Sequence, residues 1–261
     1  MKCLILCGGR GVLDPDTRQR VPKAMQLIGG RPLVWHVMQS FATAGVREFV
    51  LALGEGGDLV RRHFIDLHHT GRDIEIHGGE IAYLTPARHD DWRIKLVDTG
   101  LNAQTGSRVA RCRRHLEDGD FYLTYSDCLC DVDLAALAER HRRGAHLITV
   151  TGVQPTSRFG TFTADAEGRV KGYTERTRFI TSERFLNGGF MVVSPTALDR
   201  LQVLNECNLE REVFTALASE GLIGVFPHDG YWQAVDTERD LEEVNRLYAA
   251  NSRPWLPRGH A

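Results

Sequence analysis

The sequence predicts an α/β protein built on a Rossmann-like sheet, mixed but mostly parallel, that is flanked by helices. Short apolar segments of strand length alternate with amphipathic helical segments through the first half of the chain, a pattern typical of βαβ units. A glycine loop, Cys7-Gly8-Gly9-Arg10-Gly11, directly follows the first apolar segment. Glycines let backbone N–H groups approach phosphate oxygens closely, so this strand and loop indicate a phosphate-binding cradle.

The first half supplies the parallel part of the predicted sheet. Its first strand covers residues 1–6, and its first helix begins at Pro32, because proline suits the first helical position, and continues to about Ala44. Asp133 is a plausible N-cap for a later helix. The other elements predicted in this half are strands at 49–53, 74–77, 94–97, 121–125 and 146–153 and helices at 58–67, 107–116 and 133–143.

The second half has shorter strands separated by polar turns, which predicts an added mixed layer. Its predicted elements are strands at 160–163, 170–174, 190–193 and 223–226 and helices at 195–204, 209–218 and 237–249. Because no linker, repeat or low-complexity stretch divides the chain, we predict one domain over residues 1–261.

Composition excludes several classes of protein. The 261 residues are 42% hydrophobic and carry a formal net charge of −2, so the chain can bury a core and presents no global basic field for nucleic acid. The arginines of segment 107–116 are therefore expected on a solvated helix face. Since no apolar run approaches the about 20 residues of a membrane span, and no signal-peptide pattern precedes the first strand, we expect a cytoplasmic protein without a membrane partner.

The six cysteines are predicted to be reduced structural thiols. Cys128 and Cys130 are separated by one residue, and no second cysteine pair or neighbouring histidine in the sequence completes a zinc set.

Polar groups are expected where the predicted parallel strands end. These are the loop 8–11, the segment Asp98-Thr99-Gly100, and Asp127, which follows strand 121–125. Ligands of such sheets bind beyond the carboxyl ends of the strands. Lys23, a dozen residues after the glycine loop, can add a positive charge to a phosphate site there.

The motifs in their order and spacing resemble the sugar-1-phosphate nucleotidyltransferases, and among them the glucose-1-phosphate cytidylyltransferases. The resemblance covers nearly the whole chain. It rests on segments 6–11, 22–25, 28–32, 96–100, 105–108, 124–127, 158–160, 187–190 and 229–237, and it extends to Pro254-Trp255.

The resemblance implies a fold of the nucleotide-diphospho-sugar transferase type, with a nucleotide-binding half at 1–150 and a sugar-phosphate-binding half with C-terminal helices at 151–261. It implies that CTP and a sugar 1-phosphate, glucose 1-phosphate by default, give a CDP-sugar and pyrophosphate by in-line attack. Such chemistry depends on positioning and charge neutralisation. It also implies a homo-oligomer, in which Trp255 could contact a neighbouring copy.

The resemblance implies a role for each of a set of residues. Asp127 and Asp236 would hold Mg²⁺, and Lys23 and Arg10 would act with them as catalytic residues. The nucleotide-binding residues would be Leu6, Cys7, Gly8, Gly9, Gly11, Asn102, Gly106, Ser107 and Ser126. The sugar-phosphate-binding residues would be Gly160, Glu175, Arg176, Asn187 and Gly188. Taken singly, each aspartate could instead cap a loop or helix, and Lys23 could be a solvated surface residue.

The sequence departs from the family around the phosphates. Val12-Leu13 replace the Thr-Arg of the family's Gly-X-Gly-Thr-Arg loop, and Arg10, Arg18 or Arg20 would have to supply the lost cation. Ser126-Asp127-Cys128 replace Gly-Asp-Gly. Two hypotheses follow: an active cytidylyltransferase with a rebuilt phosphate clamp, or a nucleotide- or nucleotide-sugar-binding protein without turnover. Another sugar or cyclitol phosphate, or UTP or dTTP, also remains open for the enzyme. The retained carboxylates and lysine favour the enzyme.

Overall fold

The computed structural model describes residues 1–9, 11–13, 20–70, 72–85, 91–154, 161–174, 184–201 and 206–256. The strands in these ranges are β1 Cys3–Cys7, β2 Val12–Leu13, β3 Arg20–Val21, β4 Leu27–Ile28, β5 Arg31–Pro32, β6 Glu48–Leu53, β7 Ile74–His77, β8 Glu80–Tyr83, β9 Arg93–Asp98, β10 Phe121–Tyr125, β11 Cys128–Cys130, β12 Ile148–Val153, β13 Thr161–Ala164, β14 Val170–Thr174, β15 Leu186–Val193, β16 Ile223–His228 and β17 Trp232–Ala234.

The helices surround these strands in chain order. The α-helices are α1 Leu33–Thr43, α2 Gly57–His69, α3 Thr105–Arg111, α4 Leu134–Arg143, α5 Thr215–Ser219 and α6 Glu238–Ala249. Short 3₁₀ segments lie at Lys23–Met25, Arg113–His115 and Pro195–Arg200, and a π-helical segment covers Leu209–Phe214.

The central sheet of the described chain has seven strands in the order β16-β12-β15-β10-β1-β6-β9. β1 pairs in parallel with β6 and β10, β6 with β9, and β12 with β16. β15 runs antiparallel to both of its neighbours, β10 and β12. The predicted mixed, mostly parallel sheet flanked by helices is therefore confirmed, and strands from both halves of the chain share it.

The inner strands of the sheet are buried on both faces, as expected for strands covered by helices, whereas the edge strands β9 and β16 are more exposed. Alternation along β1 divides its residues between two apolar clusters: Cys3, Ile5 and Cys7 contribute to one, and Leu4 and Leu6 to the other. The first cluster includes residues of α1, α4 and α6, and the second includes residues of α3 and α5. The central strand is thus held from both sides, which fixes where Gly8 and Gly9 begin the loop.

Some predicted elements differ from those observed. The helix predicted at 107–116 is wrong in its bounds, because α3 ends at Arg111 and a 3₁₀ turn follows. The expectation that its arginines all lie on a solvated face is also wrong, since Arg108 is only 4% exposed. The sequence patterns also missed very short strands, among them β11 and β17, because two or three residues carry no periodicity.

All six cysteines are buried and none of them forms a disulfide. Trp255 corrects another expectation. It is completely buried within its own chain, with its ring 5.8 Å from that of His36 and 6.1 Å from that of Tyr231, and does not present its ring to a neighbouring copy. None of the helices in the described ranges is long and apolar enough to cross a membrane.

Candidate active site

The predicted polar groups meet at the carboxyl edge of the parallel strands. Leu6 of β1 is in register with Tyr125 of β10, and Leu53 of β6 is in register with Asp98 of β9. The glycine loop, the turn after β10 and the end of β9 therefore lie at one edge, as the strand order requires.

Lys23 lies between two carboxylates at this edge. Its Nζ is 2.6 Å from Asp236 Oδ1 and 3.1 Å from Asp127 Oδ2. Lys23 and Asp127 are partly buried, whereas Asp236 is exposed. The structure thus brings together three of the four residues to which the sequence assigned catalytic roles.

Backbone pairing holds the two aspartates in place. β11 pairs with β17, and the N–H of Val235 donates to the carbonyl of Asp127 at 2.8 Å. On the other side of Asp236, Thr237 and Asp240 form a capping box at the start of α6. Asp240 also accepts a hydrogen bond from the Asp236 N–H at 3.2 Å, so Asp236 is fixed from both directions.

Lys23 is held in the charged form by its partners. Burial by itself lowers the pKa of Lys23, but hydrogen bonds and charges from Asp236 and Asp127 outweigh it, and the pKa lies above its ordinary value. The ammonium group partly offsets the repulsion between the two carboxylates and adds a cation to the edge where the glycine loop ends.

The residues present fit a magnesium ion. Asp127 and Asp236 converge on one point, as their shared contact with Lys23 Nζ shows, and each carboxylate has a second oxygen. Mg²⁺ takes hard oxygen ligands and needs only one or two protein carboxylates when phosphates and water complete its octahedron. Asp127 and Asp236 supply two such carboxylates.

The glycine loop presents backbone to the edge of the sheet. The side chains of Leu6 and Cys7 are buried in the core, and burial raises the pKa of the Cys7 thiol to about 12. Gly8 is half-buried and Gly9 is exposed. Since the side chains before them face inward, Leu6 and Cys7 could contact a ligand only through backbone groups.

Arg108 lies directly under this loop and was missed as a site residue. A Cβ at Gly8 or at Gly54 would overlap its guanidinium group. The guanidinium donates to Leu53 O at 3.1 Å, to Thr99 Oγ1 at 2.7 Å and to the carbonyls of residues 100 and 101. Burial lowers the pKa of Arg108 below its ordinary value, yet an arginine keeps its proton in proteins. Arg108 ends segment 105–108, one of the segments of the family resemblance, but neither that motif nor the apolar pair Val109-Ala110 after it tells which way the arginine points.

The other predicted nucleotide-binding residues divide into exposed and interior ones. Asn102 is exposed, whereas Ser126 is buried. Ser107 is completely buried and pairs with the backbone of Cys207. The Ser107 N–H donates to the Cys207 carbonyl at 3.0 Å, and the Cys207 N–H donates to Ser107 Oγ at 3.2 Å. A Cβ on Gly106 would lie 2.7 Å from Cys207 Sγ. Gly106 and Ser107 thus anchor the segment before the π-helix, and their contact with a nucleotide stays a prediction.

A polar network connects the nucleotide side with the predicted sugar side. Asn187 Nδ2 donates to Tyr125 Oη at 3.4 Å, and Tyr125 Oη donates to Glu210. Thr105 Oγ1 donates to the other carboxylate oxygen of Glu210 at 2.7 Å. Glu210, which the sequence did not single out, stands in the π-helical segment, and such segments often occur at functional sites.

Gly188, another residue predicted to bind the sugar phosphate, is held by a side chain of the strand that leads to Asp236. Gly188 is buried, and its carbonyl accepts a hydrogen bond from Trp232 Nε1 at 2.8 Å. Trp232 belongs to β17, which leads to Asp236, so it joins the two parts of the edge.

Part of the predicted site lies outside the described residues: Arg10, Gly160, Glu175 and Arg176, and also Arg18. Val12-Leu13, which replace the family's Thr-Arg, form β2, which pairs with β3. Arg20 is exposed in β3, opposite Leu13. Gly11, with φ of +66°, begins this hairpin, and a Cβ there would overlap the Val21 carbonyl.

A lysine between two carboxylates at the edge where a glycine loop follows a parallel strand suits the positioning and charge neutralisation that phosphoryl transfer needs, and sequence comparison agrees. A profile of the nucleotidyl transferase family matches residues 2–251. The chain belongs to this nucleotidyl transferase family.

The most similar of the relatives compared act, by their names, on sugar 1-phosphates. The chain is 34% identical to a probable glucose-1-phosphate cytidylyltransferase of Bacillus subtilis, over 98% of this chain and 99% of the relative. It is 31% identical to the glucose-1-phosphate cytidylyltransferase of Salmonella typhi, over 98% of both chains. A mannose-1-phosphate guanyltransferase of Aspergillus fumigatus is 25% identical over all of this chain and 71% of its own length.

Solved structures agree in fold. The crystal structure of HddC from Yersinia pseudotuberculosis complexed with GMP-PN superposes with a TM-score of 0.66 at 16% identity, over 95% of this chain and 99% of that one. A putative glucose-1-phosphate thymidylyltransferase from Bacillus anthracis gives a TM-score of 0.63 at 14% identity, over 94% of each chain. The nucleotide-diphospho-sugar transferase fold expected from the sequence is confirmed.

Proposed function

We propose that this chain is a magnesium-dependent cytidylyltransferase that joins CTP and a sugar 1-phosphate, giving a CDP-sugar and pyrophosphate. The observation that carries the proposal is the convergence of Lys23, Asp127 and Asp236 at the edge where the glycine loop ends. A transferase needs cations and positioned donors around the phosphates more than it needs a strong base.

The residues have distinct parts in this reaction. Backbone N–H groups of Gly8 and Gly9 bind nucleotide phosphates, and Lys23 stabilises the charge on the transferring phosphoryl group. Asp127 and Asp236 hold Mg²⁺, which neutralises charge on the nucleotide phosphates when bound. Asn187, tied to Tyr125, orients the sugar so that a phosphate oxygen attacks in line.

The choice of CTP and glucose 1-phosphate rests on the relatives. The 31–34% identical relatives are described as glucose-1-phosphate cytidylyltransferases, and the mannose-1-phosphate guanyltransferase is more distant at 25%. CTP and glucose 1-phosphate are therefore to be compared with UTP and dTTP and with other sugar or cyclitol phosphates. A cytoplasmic location and a homo-oligomeric state remain part of the proposal.

A second candidate function follows from one observation. Val12 and Leu13 form a strand where the family carries arginine, so this part of the loop lacks a cationic side chain. Loss of a charge-assisted contact at a transferring phosphate can remove orders of magnitude in rate. The alternative is thus a protein that binds nucleotide or nucleotide sugar without turnover.

The deciding experiment measures pyrophosphate release with Mg²⁺ over a panel of nucleoside triphosphates and sugar 1-phosphates. We expect release with CTP and one sugar phosphate, and a loss of at least about 100-fold in Asp127→Ala and Lys23→Ala. Lys171→Ala is the matched control, because Lys171 is an exposed lysine of β14. Binding of CTP or a CDP-sugar without release for any pair would establish the alternative instead.

A further inference from the structure

Three side chains of metal-ligand type meet where β11 and β16 end. Cys130 ends β11, Asp131 follows it, and His228 ends β16. The thiol sulfur, a carboxylate oxygen and a ring nitrogen all lie within 4.8 Å of one another. In sequence the histidine stands far from the cysteine, which is why the cysteine spacing alone indicated no zinc set.

The cluster is closely built. His228 Nε2 is 3.1 Å from Asp131 Oδ1, and the same oxygen accepts a hydrogen bond from the Tyr231 N–H at 2.7 Å. A Cβ on Gly230 would overlap both Asp131 and the His228 ring. The glycine therefore allows the carboxylate and the imidazole to meet, and backbone holds the carboxylate in place.

The exposure of the three groups leaves room for a ligand from solvent. Cys130 is 2% exposed, the His228 side chain 9% and the Asp131 side chain 36%. In a tetrahedral zinc site, bonds of about 2.0–2.3 Å place ligand atoms about 3.3–3.7 Å apart. Because no two of the three ligand atoms are more than 4.8 Å apart, the cluster would contract by no more than about 1.5 Å, and a water on its open side would complete the tetrahedron.

We propose that Cys130, Asp131 and His228 bind a divalent transition metal of the Zn²⁺ class, with water in the fourth position. On binding, the Cys130 thiol releases its proton to solvent, and thiolate, imidazole and carboxylate each donate an electron pair without any change of oxidation state. A thiolate and an imidazole prefer such a metal over Mg²⁺, which takes oxygen ligands. The site thus differs in chemistry from Asp127 and Asp236.

The metal would connect two parts of the fold. β16 is an edge strand of the central sheet, whereas β11 belongs to the small β11-β17 sheet. In that small sheet, Asp127 immediately precedes β11, and Asp236 lies two residues after the end of β17. A metal at Cys130, Asp131 and His228 would therefore anchor the support of the two aspartates to the sheet edge.

The site is tested with metal alone, in the absence of nucleotide and sugar. The purified full chain is titrated with Co²⁺ in excess Mg²⁺, which saturates oxygen-only sites, and the absorption from thiolate-to-cobalt charge transfer is recorded. We expect one equivalent of Co²⁺ with this absorption, its displacement by one equivalent of Zn²⁺, and binding at least about 10-fold weaker in Cys130→Ser. Cys128→Ser, a change on the same strand outside the cluster, should keep the absorption.

His228→Gln gives an independent test if Cys130→Ser does not fold, as judged by circular dichroism. It keeps the thiol, so we expect weaker metal binding by a similar factor, and Zn²⁺ should raise the melting temperature of the parent but not of this variant. Absence of the charge-transfer absorption in the parent, or equal binding by the parent and both cluster variants, would refute the site.

Discussion

The guanidinium of Arg108 lies beneath the glycine loop, in contact range of both Gly8 and Gly54. It donates to oxygens of Leu53 and Thr99 and to carbonyls after β9, so one side chain holds the ends of β6 and β9 together. A buried charge without a carboxylate partner in these contacts is costly unless its hydrogen bonds are satisfied. The arrangement therefore makes Arg108 a positioning residue for the loop.

Arg108→Met tests this at the level of one residue. Methionine matches much of the length but donates nothing, so at least one buried oxygen would lose its partner. We expect a loss of about 2–4 kcal/mol in the free energy of unfolding, measured by urea denaturation. Arg114→Met, at an exposed arginine a few residues later, should change it by less than about 0.5 kcal/mol. Equal, small effects would show that the hydrogen bonds of Arg108 contribute little.

At the scale of elements, very short segments position the candidate catalytic residues. Lys23 stands in a 3₁₀ segment of three residues, and the aspartates flank the short strands β11 and β17. The capping box of Thr237 and Asp240 begins α6 immediately after Asp236. Such segments depend on pairing and caps because they are too short to be stable alone.

Two helix caps allow a matched comparison. Thr237→Ala removes a cap beside Asp236, and Asp133→Ala removes the N-cap of α4, where Asp133 accepts from the Ala136 N–H at 2.9 Å. Each should lower the free energy of unfolding by about 1 kcal/mol. Only Thr237→Ala should also lower pyrophosphate release, by several-fold, because it loosens Asp236.

Both quantities are measured on the same preparations, stability by thermal unfolding and activity by pyrophosphate release. Equal activity losses in the two cap variants would mean that general destabilisation, and not the position of Asp236, determines the rate.

At the scale of the whole molecule, the C-terminal residues close the core over α1. His36 of α1 lies in this region, with its ring 5.7 Å from that of Tyr248 and 5.8 Å from that of Trp255. Its Nε2 pairs with the Ile28 carbonyl at 2.9 Å, whereas its buried Nδ1 has no hydrogen-bond partner in the part of the chain described. A second proton on this ring would therefore be buried without an acceptor.

This packing predicts a loss of stability in acid. Burial lowers the pKa of His36 to about 4, assisted by the charges of Arg253 and Arg31 and opposed by the hydrogen bond to Ile28. Below about pH 6.5 the unfolded chain binds a proton that the folded chain does not bind until about pH 4. The free energy of unfolding should thus fall by about 3 kcal/mol as the pH falls through this range.

The matched variants isolate this contribution. His36→Gln keeps a side-chain donor for Ile28 but cannot titrate, so its stability should depend less on pH between 6.5 and 4. His77→Gln, at an exposed histidine of β7, should follow the parent. Parallel profiles for all three proteins in urea unfolding at stepped pH would contradict the assignment to His36.

Site residues could be predicted from the sequence where they lie in a local motif. The glycine loop, Lys23, Asp127 and Asp236 each carried a local motif, and the strand alternation predicted that their ends meet at one edge. Glu210 carried none, and the motif that ends at Arg108 did not show that this arginine is buried, because the importance of both residues depends on which groups they face. Asn102 and Ser107 had equal standing in the sequence, and only the structure separated an exposed side chain from an interior one.

The sequence by itself determined the mostly parallel sheet, the helices over it and the family, because hydrophobic periodicity and ordered motifs are local properties of the chain. Tertiary structure decided that Lys23 lies between two aspartates more than one hundred residues away. It also decided that Arg108 is buried, that Trp255 closes its own core and that His228 meets Cys130. These facts depend on packing between distant segments, where the cost of burying charge and the geometry of strand pairing select one arrangement.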